Sequence, residues 1–132
     1  NIDLEKVIPS DDPYIYTFSI SNFNEEKRTD VDLEYYLEIV TTTNLPLRYK
    51  LYYNSYDLST NDIITTREIK QDEDGSFYNY FKVDQKYSFT YQENQTHIYY
   101  LVIEFPTTYK DVIEYSDAID NIQVNINTQQ VL

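Results

Sequence analysis

"VDLEYYLEIVTT", residues Val31 to Thr42, decides the fold class. Successive side chains of an extended chain point to opposite sides, so Val31, Leu33, Tyr35, Leu37 and Ile39 share one face and Asp32, Glu34, Tyr36 and Glu38 the other. The run is long enough to fix its own register, because a slip of one residue would bury the carboxylates. The same period of two recurs on both sides of it, and no stretch carries an apolar stripe of helical period.

Upstream, "YIYTFSISN" sets Tyr14, Tyr16, Phe18 and Ile20 against Ile15, Thr17, Ser19 and Ser21. Before it, Ile2 to Ile8 reads as a strand closed by the turn-forming "PSDDP". Downstream, "LPLRYKLYY" sets Leu47, Tyr49, Leu51 and Tyr53 against Arg48, Lys50 and Tyr52. Pro46 falls at its start, where no ladder donor is needed. Arg48 and Lys50 would offer partners to Glu34 and Glu38 if the two strands pair. "IITTREIK", "FYNYFKV" and "KYSFTY" are further short strands, and "THIYYLVIEF", apolar on both faces in its middle, is expected to lie centrally in a sheet. "TTYKDVIEYSDA" reads as an irregular loop or one short helical turn, and "IDNIQVNIN" closes the chain with Ile122, Val124 and Ile126 on one face.

About eight or nine strands without long intervening helices imply an all-β fold, a two-layer antiparallel β-sandwich of immunoglobulin-like or jelly-roll type. The 132 residues fit a single domain spanning 1–132, large enough to bury roughly two-thirds of its unfolded surface. Residues 1–13, a strand and turn, pair within their own sheet or are exchanged with a neighbouring chain to build a filament. Sixteen Tyr agree with pleated sheet, whose half-buried surfaces suit bulky side chains.

A net charge of −13, with no Lys/Arg cluster, repels phosphate backbones and argues against nucleic acid as partner. Cysteine is absent, which excludes disulfides and thiol chemistry. The chain has no apolar run long enough for a membrane span and no signal-peptide h-region, as expected of a mature or trimmed domain.

Catalytic chemistry finds little support. His97 is the single histidine, and a lone His in an alternating strand is most often a packed or surface residue. No nucleophile elbow, phosphate-binding glycine loop or His-Glu-x-x-His helix occurs. With 23 acidic residues, a carboxylate pair at hydrolytic spacing would arise by chance. No catalytic residue is therefore assigned. Asp72 and Asp74 in "DEDGS" resemble a fragment of a calcium loop, yet the third acidic position and the distal Glu are missing, and a hairpin turn with Gly75 is the simpler reading. Tyr36, Tyr52 and Tyr100 fall opposite the core faces, where an aromatic platform would stack sugar rings or anchor a protein partner. Asn94-Gln95-Thr96 matches a glycosylation sequon.

The order of motifs adds a second line. "YTFSISNFNEEKRTDVDLEYYLEIVTTTNLPLRYKLY", then "YYLVIEFP", "YSDAIDNIQVNIN" and the terminal "QQV", resemble secreted Gram-positive proteins with SipW-dependent-type signal peptides, the group related to TasA and camelysin. The resemblance runs from about Tyr14 onward. It implies export with removal of a signal peptide, a β-sandwich body, and a role at the cell surface or in extracellular matrix, sometimes as a fibre subunit that exchanges a terminal strand. Camelysin-type members are labelled metalloproteases. That activity does not carry over to a chain with one His and no His-Glu-x-x-His motif. The expected function is that of a non-enzymatic extracellular interaction or structural domain assembling through sheet edges. The alternative is a carbohydrate-binding module built on exposed tyrosines, and a hydrolase ranks below both.

Overall fold

The computed structural model describes residues 2–3, 7–24, 27, 29–115, 118 and 120–131. The alternating stretch becomes β3 (Leu33–Thr42), the centre of the larger sheet. For this sheet and its partner the strands are β1 (Ile2–Asp3), β2 (Tyr14–Ser21), β4 (Arg48–Tyr53), β5 (Thr66–Gln71), β6 (Phe77–Lys82), β7 (Tyr87–Phe89), β8 (Thr96–Glu104) and β9 (Asn121–Gln130). The first sheet runs β1-β9-β3-β6-β5, with β7 sharing the edge of β3 that β6 occupies further along. The second runs β2-β8-β4. Every pairing is antiparallel.

Strand one pairs with the last, two with the next to last, and three with six and seven. That nesting is the order of a jelly roll, not of an immunoglobulin domain. In a regular jelly roll strands four and five would pair as well. Here β5 joins the first sheet, and a short segment takes its place beside β4: the Ile63 N–H donates to the Leu51 carbonyl (2.8 Å), and the Asp62 carboxylate accepts from the Leu51 N–H (2.9 Å).

The sheets stack through their inner faces. Tyr49 of β4 meets Phe81 of β6 at 5.5 Å between ring centroids, and the Tyr99 hydroxyl of β8 lies 2.7 Å from that of Tyr35 on β3. With β4 over β6 and β8 over β3, β2 lies over β9. Leu37, Ile39, Leu51, Tyr99, Leu101 and Ile103 are fully buried in the layer between, each contributing about 1.5–3 kcal/mol by leaving water. A smaller core at one end gathers Val7, Leu45 and Phe105.

The alternation sets most strands, and the differences from expectation have local causes. Of the strand expected over residues 2–8, Ile2–Asp3 form β1, residues 4–6 lie outside the described residues, and Val7 and Ile8 are not in a strand. Val7 turns into the smaller core, and the Tyr14 hydroxyl accepts from the Ile8 N–H (3.1 Å) while donating to the Ile8 carbonyl (2.8 Å), so Ile8 bonds to a side chain instead of a ladder. Residues 107–115 form two single 3-10 turns. The expected pairing of Arg48 and Lys50 with Glu34 and Glu38 does not form, because β3 and β4 belong to different sheets. Lys50 instead meets Glu104 across β8 (3.7 Å), and Glu34 meets Lys86 (3.5 Å).

One buried carboxyl joins the turn after β3 to the start of β9. Asp120, completely inaccessible, precedes β9 and accepts from the Thr42 hydroxyl (2.7 Å), the Asn44 N–H (2.8 Å) and the Leu45 N–H (3.1 Å). Thr42 in turn accepts from the Asn121 N–H (2.8 Å). The turn "TTNLP" is therefore held by the residue that starts the last strand. Burial pushes the Asp120 carboxyl above its usual range, against the pull of its three donors. Asp120→Ala would remove the acceptor of the buried Leu45 N–H, of the Asn44 N–H and of the Thr42 hydroxyl, and is expected to cost about 2–4 kcal/mol of stability. Urea denaturation reads this as a lower midpoint at unchanged slope.

Candidate functional site: the open side of the sandwich

A sheet edge exposes backbone donors and acceptors to any strand that can reach them, so the four sides of the two sheets differ in what they can do. The outer edge of β4 is closed by Asp62 and Ile63, and by the Arg67 guanidinium, which donates to the Tyr49 carbonyl (2.7 Å) and to Asp62 (2.9 Å). β5 carries Arg67, Glu68 and Lys70 along its six residues, a charged edge of the kind that discourages pairing.

The opposite side is different. β9 pairs with β3 from Ile122 to Gln130, but β1 covers its outer edge only at Asn121 and Ile122. Among the described residues nothing pairs with that edge over 123–130. Residues 121–132 contain no charged side chain, and neither do residues 13–24, which include β2, the adjacent edge of the other sheet. Val124 and Ile126 share the inward face of β9 with Ile122, as expected. Yet Ile126 is 45% exposed where Ile122 is buried. Phe18 and Ile20 of β2 are half-buried on the facing side.

The remaining sequence candidates lie elsewhere. His97 is a packing residue: its ring stacks on Phe89 with centroids 4.3 Å apart, and Nδ1 lies 2.6 Å from the Tyr35 hydroxyl, which is shared with Tyr99. With neutral His97 accepting, Tyr99 donates to Tyr35 and Tyr35 to His97, so every hydroxyl proton has an acceptor. Among the described residues its ring contacts are with Tyr35, Tyr53, Tyr87 and Phe89.

Asp72 and Asp74 sit in the β5–β6 hairpin. Gly75 takes φ 86° there and donates to the Asp72 carbonyl (2.9 Å), and the Asp74 carboxylate accepts from the Ser76 N–H (2.8 Å). The Asp74 carboxylate and the Asp72 backbone thus take part in the turn, and among the described residues no group of three or more metal-ligating side chains converges.

The three tyrosines do not form one platform. Tyr36, 42% exposed, lies on the outer face of the first sheet, and Tyr52 and Tyr100 are register partners on the outer face of the second. Tyr52 points away from the core as expected but is only 4% exposed. The loop over residues 54–62 folds onto it, and its hydroxyl donates to the Thr60 carbonyl (3.1 Å). The unpaired edge of β9 was missed in sequence because Ile126 continues the core-facing alternation; the absence of charge over 121–132 was the available signal.

Burial holds the His97 imidazole below its ordinary range. A histidine whose folded value is lowered contributes stability that is present above the unfolded value of about 6.5 and is lost as pH falls through the folded one. Protonation would also reverse the relay and leave the Tyr99 proton facing no acceptor. Stability is therefore expected to decline as pH falls below the unfolded value of about 6.5, and His97→Gln, which keeps an acceptor but does not titrate, is expected to flatten the decline. Denaturation midpoints across that fall in pH test this, and parallel curves for both proteins would exclude His97 as the cause.

Comparison with protein-family models, curated proteins and solved structures finds no match to this chain.

Proposed function

We propose that this chain is a non-enzymatic structural domain of the cell surface or extracellular matrix, which assembles with further copies of itself through the open side of the sandwich. The observation that carries the proposal is the outer edge of β9, unpaired among the described residues over 123–130, uncharged, and backed by the half-exposed Ile126. An extended segment of a second copy adding there would gain main-chain hydrogen bonds from the edge and cover Ile126 and Val124 in the same step. The extracellular location rests on the resemblance to the TasA and camelysin group. The non-enzymatic reading is supported by the use of His97 as a packing residue.

The net charge sets the conditions. Copies carrying −13 repel one another at low ionic strength, so salt or cations that shorten the screening length should promote assembly. The parent chain is expected to form oligomers that grow with concentration and with salt in sedimentation velocity. Ile126→Lys places a cation beside the edge at a half-exposed position, and should hold the chain monomeric while it remains folded. Glu68→Lys on the already charged β5 should assemble like the parent. A parent that stays monomeric at every concentration and salt level, or an Ile126→Lys variant that assembles as well as the parent, would overturn the reading.

A further inference from the structure

The loop after β4 is held more firmly than its length suggests. Asn54 takes φ 69° and turns the chain across the outer face of β8, while its N–H still donates to the Ile98 carbonyl (2.7 Å). Asp57 then bonds Ser59 through both backbone (3.0 Å) and hydroxyl (2.6 Å), and the Thr60 N–H and hydroxyl donate to the Asp57 carbonyl (3.0 and 2.8 Å). At its far end Tyr52 and Leu51 bond Thr60 and Asp62. Fixed at both ends, the loop lays Tyr56 against Tyr100 of β8, with ring centroids 5.4 Å apart and planes at 53°. Tyr56 is 44% exposed and Tyr100 half-buried.

Most other tyrosine–tyrosine contacts involve the buried Tyr35, Tyr87 or Tyr99, where an oxidant has no access. Tyr109 and Tyr115 touch at 5.8 Å, but both are half-buried.

We propose that Tyr56 and Tyr100 form an oxidative cross-linking site, coupled as an intramolecular dityrosine that straps the 54–62 loop to β8. The oxidant is hydrogen peroxide acting through a haem peroxidase. Each phenol gives up one electron and one proton, and the two phenoxyl radicals couple through ring carbons ortho to oxygen. Each of those carbons then loses its hydrogen as a proton while the phenol O–H is restored. The net change is two C–H bonds broken and one C–C bond formed, with one peroxide reduced to two waters. In a chain without cysteine this gives a covalent staple across the face where Tyr52 and Val102 are buried, one that thiol reductants do not open.

Treatment of dilute full-length protein with peroxide and horseradish peroxidase tests the site. The expected product is a monomer lighter by two hydrogen atoms, with dityrosine fluorescence, whose peptide map joins the segments containing residues 56 and 100. The 54–62 loop of that monomer should be cleaved more slowly by a broad-specificity protease. Tyr56→Phe and Tyr100→Phe should each lose the monomer-borne fluorescence, and Tyr36→Phe and Tyr91→Phe should retain it. Coupling that appears only between chains, a map that joins Tyr109 to Tyr115 instead, or undiminished fluorescence in a Tyr56→Phe variant that folds normally would each overturn the proposal.

Discussion

The register of β3 is the constraint on which the larger sheet depends. It takes β9 along one edge and β6 and β7 along the other, so three strands inherit their alignment from it. Its inward row of Tyr35, Leu37, Ile39 and Thr41 is buried nearly completely, while Glu34, Tyr36 and Glu38 face out. A one-residue slip would exchange those rows and place two carboxylates in the layer that holds Leu101 and Ile103, at a desolvation cost no strand pairing offsets. The second sheet is then placed by what the inward row touches, above all by Tyr99 and His97 joined to the Tyr35 hydroxyl.

Tyr35 shows why this core contains so many tyrosines. Burying a phenol costs less when its oxygen finds a partner, and Tyr35, Tyr99 and His97 supply one another across the two sheets. The arrangement gives the interface between sheets a directional element that Leu or Phe would lack. Burial drives the Tyr35 and Tyr99 phenols well above their ordinary range, so both remain neutral donors throughout the physiological span. Asp120 does comparable work at the other end of the layer, tying a turn of the first half of the chain to the start of the last strand.

What the sequence made legible was the property that alternation encodes directly. β2, β3, β4 and β9 carry the inward residues their period of two predicts, and β8, apolar on both faces, is the middle strand of its sheet. Strand order was not legible, since alternation says which face is buried but not which strand lies alongside; only the pairing distinguishes the jelly roll from the immunoglobulin order. Tyr52 illustrates a second limit: its outward direction was plain, but its burial depends on a loop whose Asn54 turn and Asp57 bonds carry no periodic signal. Ile126 illustrates the converse. It belongs to the inward row of β9, where alternation predicts burial, and is nonetheless 45% exposed.

Charge distribution joins these observations into one functional argument. Monomers with a large net charge of one sign stay apart in dilute solution, and a domain that must also associate needs surface on which the repulsion is locally weakest. In this chain the two uncharged dozens, residues 13–24 and 121–132, fall in different halves of the sequence, yet the fold brings β2 over β9 at the same side. The other side has its edges capped by Asp62, Ile63 and Arg67 or charged along β5. Pairing is thus discouraged along β4 and β5, whereas among the described residues β1 pairs with only two residues of the ten-residue β9. An edge that served no purpose could be blunted by a single lysine, as natural sheets commonly do. The sequence of β9, with Gln, Asn and Thr at the exposed positions and neither charge nor proline, leaves the edge able to accept another strand.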